Sequence, residues 1–434
     1  MNFNNIVAKF LKSDLMGRSL KVLIIKISGV LLLFLLSLFL TNYYSPKVVG
    51  QFDFVRSVLM IIGGLSILGT NQSIIYYSGF FKSQNTIGSL KKTYFKMLAL
   101  IVLVSCVVLL LNLLTPDKII NNLFNKEEAA FLVDKVVYTI SLYAVTFLNI
   151  DMLRAMNKTI LSELFRNIFR YTPFFILAIY LVYTSNEAYL INAYLLSFSC
   201  LAIASFILIY LNISKPEFQT KTSELTYKQI FLKSYPMAIS ALSYFLMQSV
   251  DILLLAKYST FEQVAYYAVA VKLATITSLG LLSVNIIIAP KIAEMYTNGN
   301  NEKLKPLLRN SNRLILILSF PVIALLAFFS DWILNLFGND YVVAQSALLI
   351  LLFGQFFNSL CGPLGVYMNM TGKQNKLQRM LIFGLLLNVI LNIIFIPKYG
   401  MIGAASSTAL SMIVWKSMAT IITYRQDKVK TFIS

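Results

Sequence analysis

An all-α integral membrane protein with twelve transmembrane helices is the fold class this sequence predicts. Three observations predict it: composition, the recurrence of apolar runs, and the placement of basic residues. The 434 residues are 58% hydrophobic and 13% charged, with a mean hydropathy of +0.74, well outside the balance of a soluble globular domain. A bilayer-spanning helix needs roughly 20 mostly apolar residues, and runs of that kind recur along the whole chain.

The first run, 18–43, follows basic residues as a secretory signal would. Lys26 interrupts it, however, and Thr41-Asn42-Tyr43-Tyr44 offers no small-x-small cleavage site, so it is expected to stay as a helix. Runs at 50–78, 93–115, 134–155, 159–184 and 188–212 follow, separated by polar breaks. Residues 213–228, ISKPEFQTKTSELTYK, are the least hydrophobic internal stretch and contain Pro216; they read as a cytoplasmic linker. Six more runs follow at 229–256, 262–290, 311–334, 342–370, 377–396 and 399–424. Several exceed the minimum length, so tilted, kinked or broken helices are expected. The linker divides the chain into 1–212 and 229–434, each with six runs, and near-equal halves suggest an internal repeat of two pseudo-symmetric lobes. The second run opens Gly50-Gln51-Phe52-Asp53-Phe54-Val55-Arg56 and the eighth passes through Tyr266-Tyr267 to Lys272. Each thus leads through an aromatic pair to a cation about two turns in, with the registers matching only to within a residue.

Orientation follows from the loops, because Lys and Arg are retained on the cytoplasmic side. One set of run ends carries 23 basic residues, from Lys9, Lys12 and Arg18 through Lys303 and Lys305 to Lys428 and Lys430; the opposite set carries Lys47, Lys118, Lys126, Lys257 and Lys398. That asymmetry predicts both termini inside. The net charge of +19, which in a soluble protein would point to nucleic acid, is here a property of membrane-flanking loops, and no nucleic-acid partner is expected.

Histidine is absent, which excludes a His-based triad, an HExxH zinc site and a His proton relay. Cys106, Cys200 and Cys361 lie inside apolar runs without CxxC spacing and read as small hydrophobes. No metal site, cofactor or catalytic residue is expected, and the protein is not read as an enzyme.

The informative residues are charges inside the runs. A Lys or Arg at the bilayer centre costs about 2.5–3.5 kcal/mol on insertion scales, so such residues face water, a partner or a substrate. Lys96, Lys135 and Lys233 lie close enough to run ends to snorkel. Lys26, Arg56 and Lys272 lie deeper, and the acids at comparable depth are few: Asp251, with Asp53 nearer the outer face. Two readings stand: structural ion pairs such as Lys272 with Asp251, or a cationic cavity that binds an anion. The surplus of cations favours the cavity. Arg166 and Arg170 are spaced i, i+4, on one face of a helix, with Asp151 and Glu163 near the same end. A salt-bridge cluster and a substrate site are equally open there. Lys416, in the inner half of the last run, either snorkels or joins the cavity. Asp251 and Asp151 are candidate charge partners or coupling residues. Gly63-Gly64, Gly69, Gly280, Gly354, Gly362 and Gly365 suit close helix packing, with some of them, and Pro236, Pro290, Pro321 and Pro363, candidate hinges. Paired tyrosines such as Tyr43-Tyr44 and Tyr76-Tyr77 read as interfacial anchors.

Ala265-Tyr266-Tyr267 through Lys272, Ala289-Pro290-Lys291-Ile292-Ala293-Glu294-Met295-Tyr296 and Leu336-Phe337-Gly338-Asn339-Asp340-Tyr341 resemble segments of polysaccharide-transport proteins of the MOP exporter superfamily. The passage from Asn388 to Ala405, NVILNIIFIPKYGMIGAA, is similar to that family's stretch between its last two spans. The resemblance implies two six-helix lobes around a central cavity that opens alternately to each side. It also implies a flippase that carries an undecaprenyl-pyrophosphate-linked oligosaccharide, an O-antigen, capsule or exopolysaccharide repeat unit, from the cytoplasmic to the periplasmic leaflet of a bacterial inner membrane. The family's cationic residues map by span and depth onto Lys26, Arg56 and Lys272. Partners would be the lipid-linked glycan, membrane lipids and other polysaccharide assembly proteins, with H+ or Na+ as a possible coupling ion. The rivals are a multidrug exporter of the same superfamily, against which the acid-free first run argues, and a membrane-embedded polymerase or glycosyltransferase, which would be expected to carry a larger outer loop. A lipid II flippase is expected to need two further helices.

Overall fold

A computed structural model describes residues 14–84, 86–214, 224–297 and 301–427. The basic residues Lys9, Lys12, Lys215, Lys221, Lys428 and Lys430, and most of the expected linker, lie outside them. All regular structure among the described residues is helical: α1 Asp14–Tyr43, α2 Pro46–Ile67, α3 Thr70–Ser83, α4 Ser89–Leu114, α5 Asp117–Phe124, α6 Ala129–Ala155, α7 Thr159–Leu164, α8 Thr172–Tyr183, α9 Leu190–Ile213, α10 Tyr227–Tyr258, α11 Phe261–Ile276, α12 Leu279–Thr297, α13 Asn301–Phe328, α14 Ser330–Asn335, α15 Gln345–Leu360, α16 Leu364–Met370 and α17 Gln374–Asp427. Ten segments among the described residues are long and apolar enough to cross a bilayer, and the chain is a multi-pass integral membrane protein.

Several apolar runs are not single helices. The second breaks between α2 and α3, where Leu68 and Gly69 take φ of 52° and 70°. The eighth breaks between α11 and α12 at Thr277-Ser278. The fifth is α7, a π-turn at Phe165–Phe169 and α8. Conversely, α17 is two helices joined at Gly400, whose φ of 54° and ψ of −130° lie outside helical space; a left-handed φ suits glycine because it lacks a Cβ. Its two arms run side by side, because Asn388 donates to Thr408 at 3.4 Å and Lys376 near one end donates to Gln426 near the other at 2.8 Å. Each arm has the length to cross once.

The chain divides into two compact units. The first comprises Met1–Leu36 and Val55–Phe245. At its centre α6 packs against α3, α4 and α9, and a buried relay ties three of these together: Tyr94 donates to Asn149 at 2.6 Å and Asn149 to Ser205 at 2.9 Å. Lipid-side residues such as Leu103, Leu110 and Leu111 on α4 are exposed, as expected where hydrocarbon replaces water as solvent. Lys96 donates to the Leu225 carbonyl at 2.7 Å, and Lys233 lies 3.9 Å from the Tyr76 ring centroid.

The second unit comprises Ser37–Phe54 and Leu246–Ser434. Here α15 packs on α11, α13 and α17. Gly50 on α2 brings that helix so near the Phe261 carbonyl at the start of α11 that any Cβ would overlap it, the close approach that small residues permit. An apolar core beneath α12, α13, α16 and α17 contains Ile292, Leu308, Tyr367 and Met368, capped by the Lys373–Asp427 ion pair.

Candidate functional site

Each unit carries its own polar cluster at membrane depth. In the first, Arg166 and Arg170 flank the π-turn Phe165–Phe169. A π-turn advances fewer degrees per residue than an α-turn, and such turns recur at functional sites. The two arginines, spaced i, i+4, take different partners. Arg166 pairs with Asp151, whose other oxygen accepts from Asn71 at 3.1 Å. Arg166 and Asp151 therefore form the salt-bridge cluster, and Glu163 accepts from Asn167 at 3.0 Å beside it.

Arg170 goes elsewhere. Its guanidinium lies 5.1 Å from the Phe147 ring centroid and 5.5 Å from that of Tyr171, and it hydrogen-bonds Tyr194. No described carboxylate lies within ion-pair distance of it. Rings enclose the group: Tyr143 packs on Phe147 at 4.7 Å and on Phe198 at 5.1 Å, and Tyr194 packs on Phe198 at 5.3 Å and Phe174 at 5.2 Å. Arg56 of α2 acts electrostatically on the same two phenols, Tyr143 and Tyr194. Gly63, two turns along the same face of α2, lets the Tyr143 ring lie directly on the backbone. Two cations thus converge on two buried tyrosines within one unit. Sequence reasoning found both arginines and missed both tyrosines, for which Gly63 was the available signal. Lys26 sits half-buried on α1, without an ion pair to a described carboxylate.

In the second unit, Lys272 donates to Asp53 at 3.0 Å, with 13% and 0% of the two side chains exposed. Of the two readings, the ion pair is corrected in its partner, since α11 carries Lys272 toward Asp53 of α2 and not to Asp251, which is held by neutral groups; for Lys272 the pair also stands in place of the favoured open cation. The Asp251 carboxylate accepts from Tyr267 at 3.1 Å, from Asn392 at 2.6 Å and from Thr408. Asn392 also donates to Asn388 at 3.0 Å. Both arms of α17 contribute, so the Gly400 reversal builds this cluster. It presents carboxylate, amide and hydroxyl oxygens, the donor types that hard cations take, and no cationic side chain among the described residues faces Asp251. The visible clue was the i, i+4 spacing of Asn388 and Asn392. Lys416, 6% exposed on the second arm of α17, lies 4.7 Å from the Trp415 ring beside the Cys361 thiol. It is buried and does not snorkel. Cys106, Cys200 and Cys361 are free thiols.

The family model for polysaccharide biosynthesis proteins matches residues 19–296. The chain belongs to that family, within the MOP superfamily. A second model, MatE, matches residues 236–394, so the two overlap across α10 to α12 of this family member. A probable low-salt glycan biosynthesis flippase of Haloferax volcanii is 24% identical over 47% of this chain and 42% of its own length; the match spans less than half of that relative. Among solved structures, a lipid II flippase in an inward closed conformation aligns with a TM-score of 0.72 at 17% identity, covering 92% of this chain and 86% of the other. An inward-facing MATE family transporter of the MOP superfamily aligns with a TM-score of 0.76 at 15% identity, covering 94% and 98%. At those identities the likeness establishes the fold.

Proposed function

We propose that this protein is a flippase. It moves an undecaprenyl-pyrophosphate-linked oligosaccharide, a repeat unit of O-antigen, capsule or exopolysaccharide, from the cytoplasmic to the periplasmic leaflet of a bacterial inner membrane by alternating access. Twelve spans in two six-helix lobes around a central cavity, with both termini in the cytoplasm, belong to the same proposal. The observation that carries the reading is Arg170, held within the membrane among aromatic rings with no described carboxylate in ion-pair range, in the unit that holds most of the family match. An intramembrane cation without an acidic partner is retained where it meets a negative guest. A glycan on a pyrophosphate is anionic at its head and apolar at its tail, so the cations hold the head while the tail stays in lipid.

Coupling is assigned to Asp251. Its oxygen-rich surroundings suit a proton or a sodium ion, either of which would travel with the cycle as a co-substrate. The same buried carboxylate and the MatE match favour a second reading, export of organic cations. Arg56 and Arg170 speak against it, because two cations repel a cationic drug.

The two readings are separated by disrupting the gene. Loss of the flippase removes surface polysaccharide and leaves lipid-linked repeat units at the cytoplasmic face, and Arg56→Ala reproduces this at unchanged protein abundance. Normal polysaccharide with raised sensitivity to cationic drugs instead supports the exporter. Reporter fusions after Lys126 are expected to be periplasmic and fusions after Lys305 cytoplasmic; reversed signals overturn the orientation.

A further inference from the structure

One face of the second arm of α17 carries Lys416, Thr420, Thr423 and Asp427 at i, i+4, i+7 and i+11, a stripe that the helical period holds within one narrow sector. It leads from the C-terminal end of the arm to a buried cation. Asp427 is paired with Lys373, whereas Lys416, 6% exposed, makes no ion pair with a described carboxylate. Around Lys416 are donors without acceptors. The Trp415 Nε1 and the hydroxyls of Thr420 and Thr423 are buried and meet no hydrogen-bond partner among the described residues. Threonine hydroxyls in other helices of this chain return to a carbonyl one turn back, as those of Thr93, Thr139 and Thr146 do; these two do not. Lys416 lies 4.7 Å from the Trp415 ring centroid, and it and Thr420 are both neighbours of the Cys361 thiol. The indole face attracts the ammonium but leaves the indole N–H and the hydroxyls unanswered.

Buried polar groups without partners mark either strain or a site whose ligand completes it. An ammonium, an indole N–H and a hydroxyl facing one another lack the same thing, an acceptor. A neutral amine at Lys416 would supply one, yet neither the indole nor the hydroxyls bond to it. An anion supplies both the acceptor and the counter-charge that a cation within the membrane requires. The space for it is small. Trp415 lies so close to Gly384 of the first arm that a Cβ there would overlap the indole, and Cys361 and Ala419 are wholly buried.

We propose that Lys416, Trp415 and Thr420 form a halide-binding site inside the second unit, reached along the Thr423 and Asp427 face of α17, with chloride as its ligand. A monatomic anion accepts from donors at any angle and needs little room, whereas sulfate or phosphate brings several oxygens and a larger, more tightly held hydration shell. The enclosure by rings and apolar side chains strengthens each contact with the anion. The site is separate from Arg56 and Arg170, which belong to the first unit, and stands whether or not the flippase reading does. Its role is that of a counter-ion: it keeps an ammonium in the core of the unit where the chain provides no carboxylate for it.

The test uses the full chain in lipid nanodiscs at fixed pH and ionic strength, with chloride, bromide and sulfate as probes in a gluconate background. Binding is read from broadening of the chloride NMR resonance, and the thermal midpoint is expected to rise by at least about 2 °C when chloride replaces gluconate. Bromide is expected to displace chloride and narrow the line, and sulfate to leave it broad. Lys416→Met keeps the stem and removes the charge; it is expected to lose both chloride responses. Thr420→Val keeps the shape and removes one donor; it is expected to weaken chloride about fivefold, and it carries the test should Lys416→Met fail to fold. Equal midpoints in chloride and gluconate, with no broadening, overturn the site and leave the donors to buried water. Chloride responses that persist unchanged in Thr420→Val and in folded Lys416→Met put the halide elsewhere and overturn it as well. Sulfate displacing chloride as readily as bromide does overturns the halide assignment.

Discussion

Replacing Asp53 with alanine is expected to remove about 3–5 kcal/mol of stability, the cost of leaving a buried charge without its partner, and to leave little folded protein in the membrane. Lys272 reaches Asp53 at 3.0 Å, and the carboxylate is wholly shielded. The pair joins the start of α2 to α11, where Gly50 has already brought the helices into contact at the Phe261 carbonyl and Phe54 meets the Phe261 ring at 5.7 Å. Removing Asp53 alone strands an ammonium in a low-dielectric contact. Exchanging both partners, Asp53→Leu with Lys272→Met, removes the desolvation cost together with the attraction and is expected to recover most of the loss, as apolar replacements of buried ion pairs do. Thermal unfolding of detergent-solubilised protein, followed by size-exclusion chromatography, distinguishes the three proteins. Were Asp53→Ala as stable as the unmodified chain, the pair would not be holding these helices, and Lys272 would return as a cation open to substrate. The same geometry changes the meaning of Lys272→Ala: lost polysaccharide in that variant reports on folding as much as on transport.

The membrane fold was legible because it depends on hydropathy, a local property. Runs of apolar residues at 93–115, 134–155 and 188–212 became α4, α6 and α9 nearly end to end. What hydropathy does not encode is φ. Leu68-Gly69, Thr277-Ser278 and the π-turn at Phe165–Phe169 interrupt helices inside runs that are apolar overall, where the few polar residues at each break, Thr70-Asn71-Gln72, Thr277-Ser278 and Arg166-Asn167, are too few to end the run. Gly400 shows the converse, since the reversal there lies between apolar arms and close to the boundary read between the runs 377–396 and 399–424.

Depth was legible at the site and pairing was not. The cost of a charge in hydrocarbon singles out Arg56, Arg170, Lys272, Lys416 and Asp251 from sequence alone. Lys272 lies 219 positions from Asp53, and no periodicity links them. Depth made Asp251 one possible partner for Lys272, yet its actual partners are uncharged groups on α11 and on both arms of α17. Tyr143 and Tyr194 were not singled out from the sequence, and only tertiary packing sets them apart from the exposed Tyr138 and Tyr189.

Asp251→Asn is expected to abolish transport while leaving the protein folded. The substitution keeps volume and one carbonyl oxygen to accept from Asn392, and its NH2 donates to the Tyr267 and Thr408 hydroxyl oxygens, which had donated to the lost carboxylate oxygen, so abundance and thermal midpoint should change little. What it removes is the charge. A carboxylate buried this far, with no cationic side chain facing it among the described residues, is stabilised by a proton or a bound cation, and under the coupling role proposed for Asp251 the exchange of that ion between the two sides of the membrane would supply the driving force. Surface polysaccharide is expected to fall at least about tenfold, which corresponds to about 1.4 kcal/mol of lost coupling. In proteoliposomes the unmodified protein should respond to a proton or sodium gradient and the variant to neither. Tyr267→Phe, which removes one hydroxyl and spares the charge, should keep the response and lower the rate only severalfold, about the worth of a single hydrogen bond. Full, gradient-dependent transport by Asp251→Asn would make the cluster a structural hub that fastens α10 to the two arms of α17, and the coupling ion would have to be sought at another group.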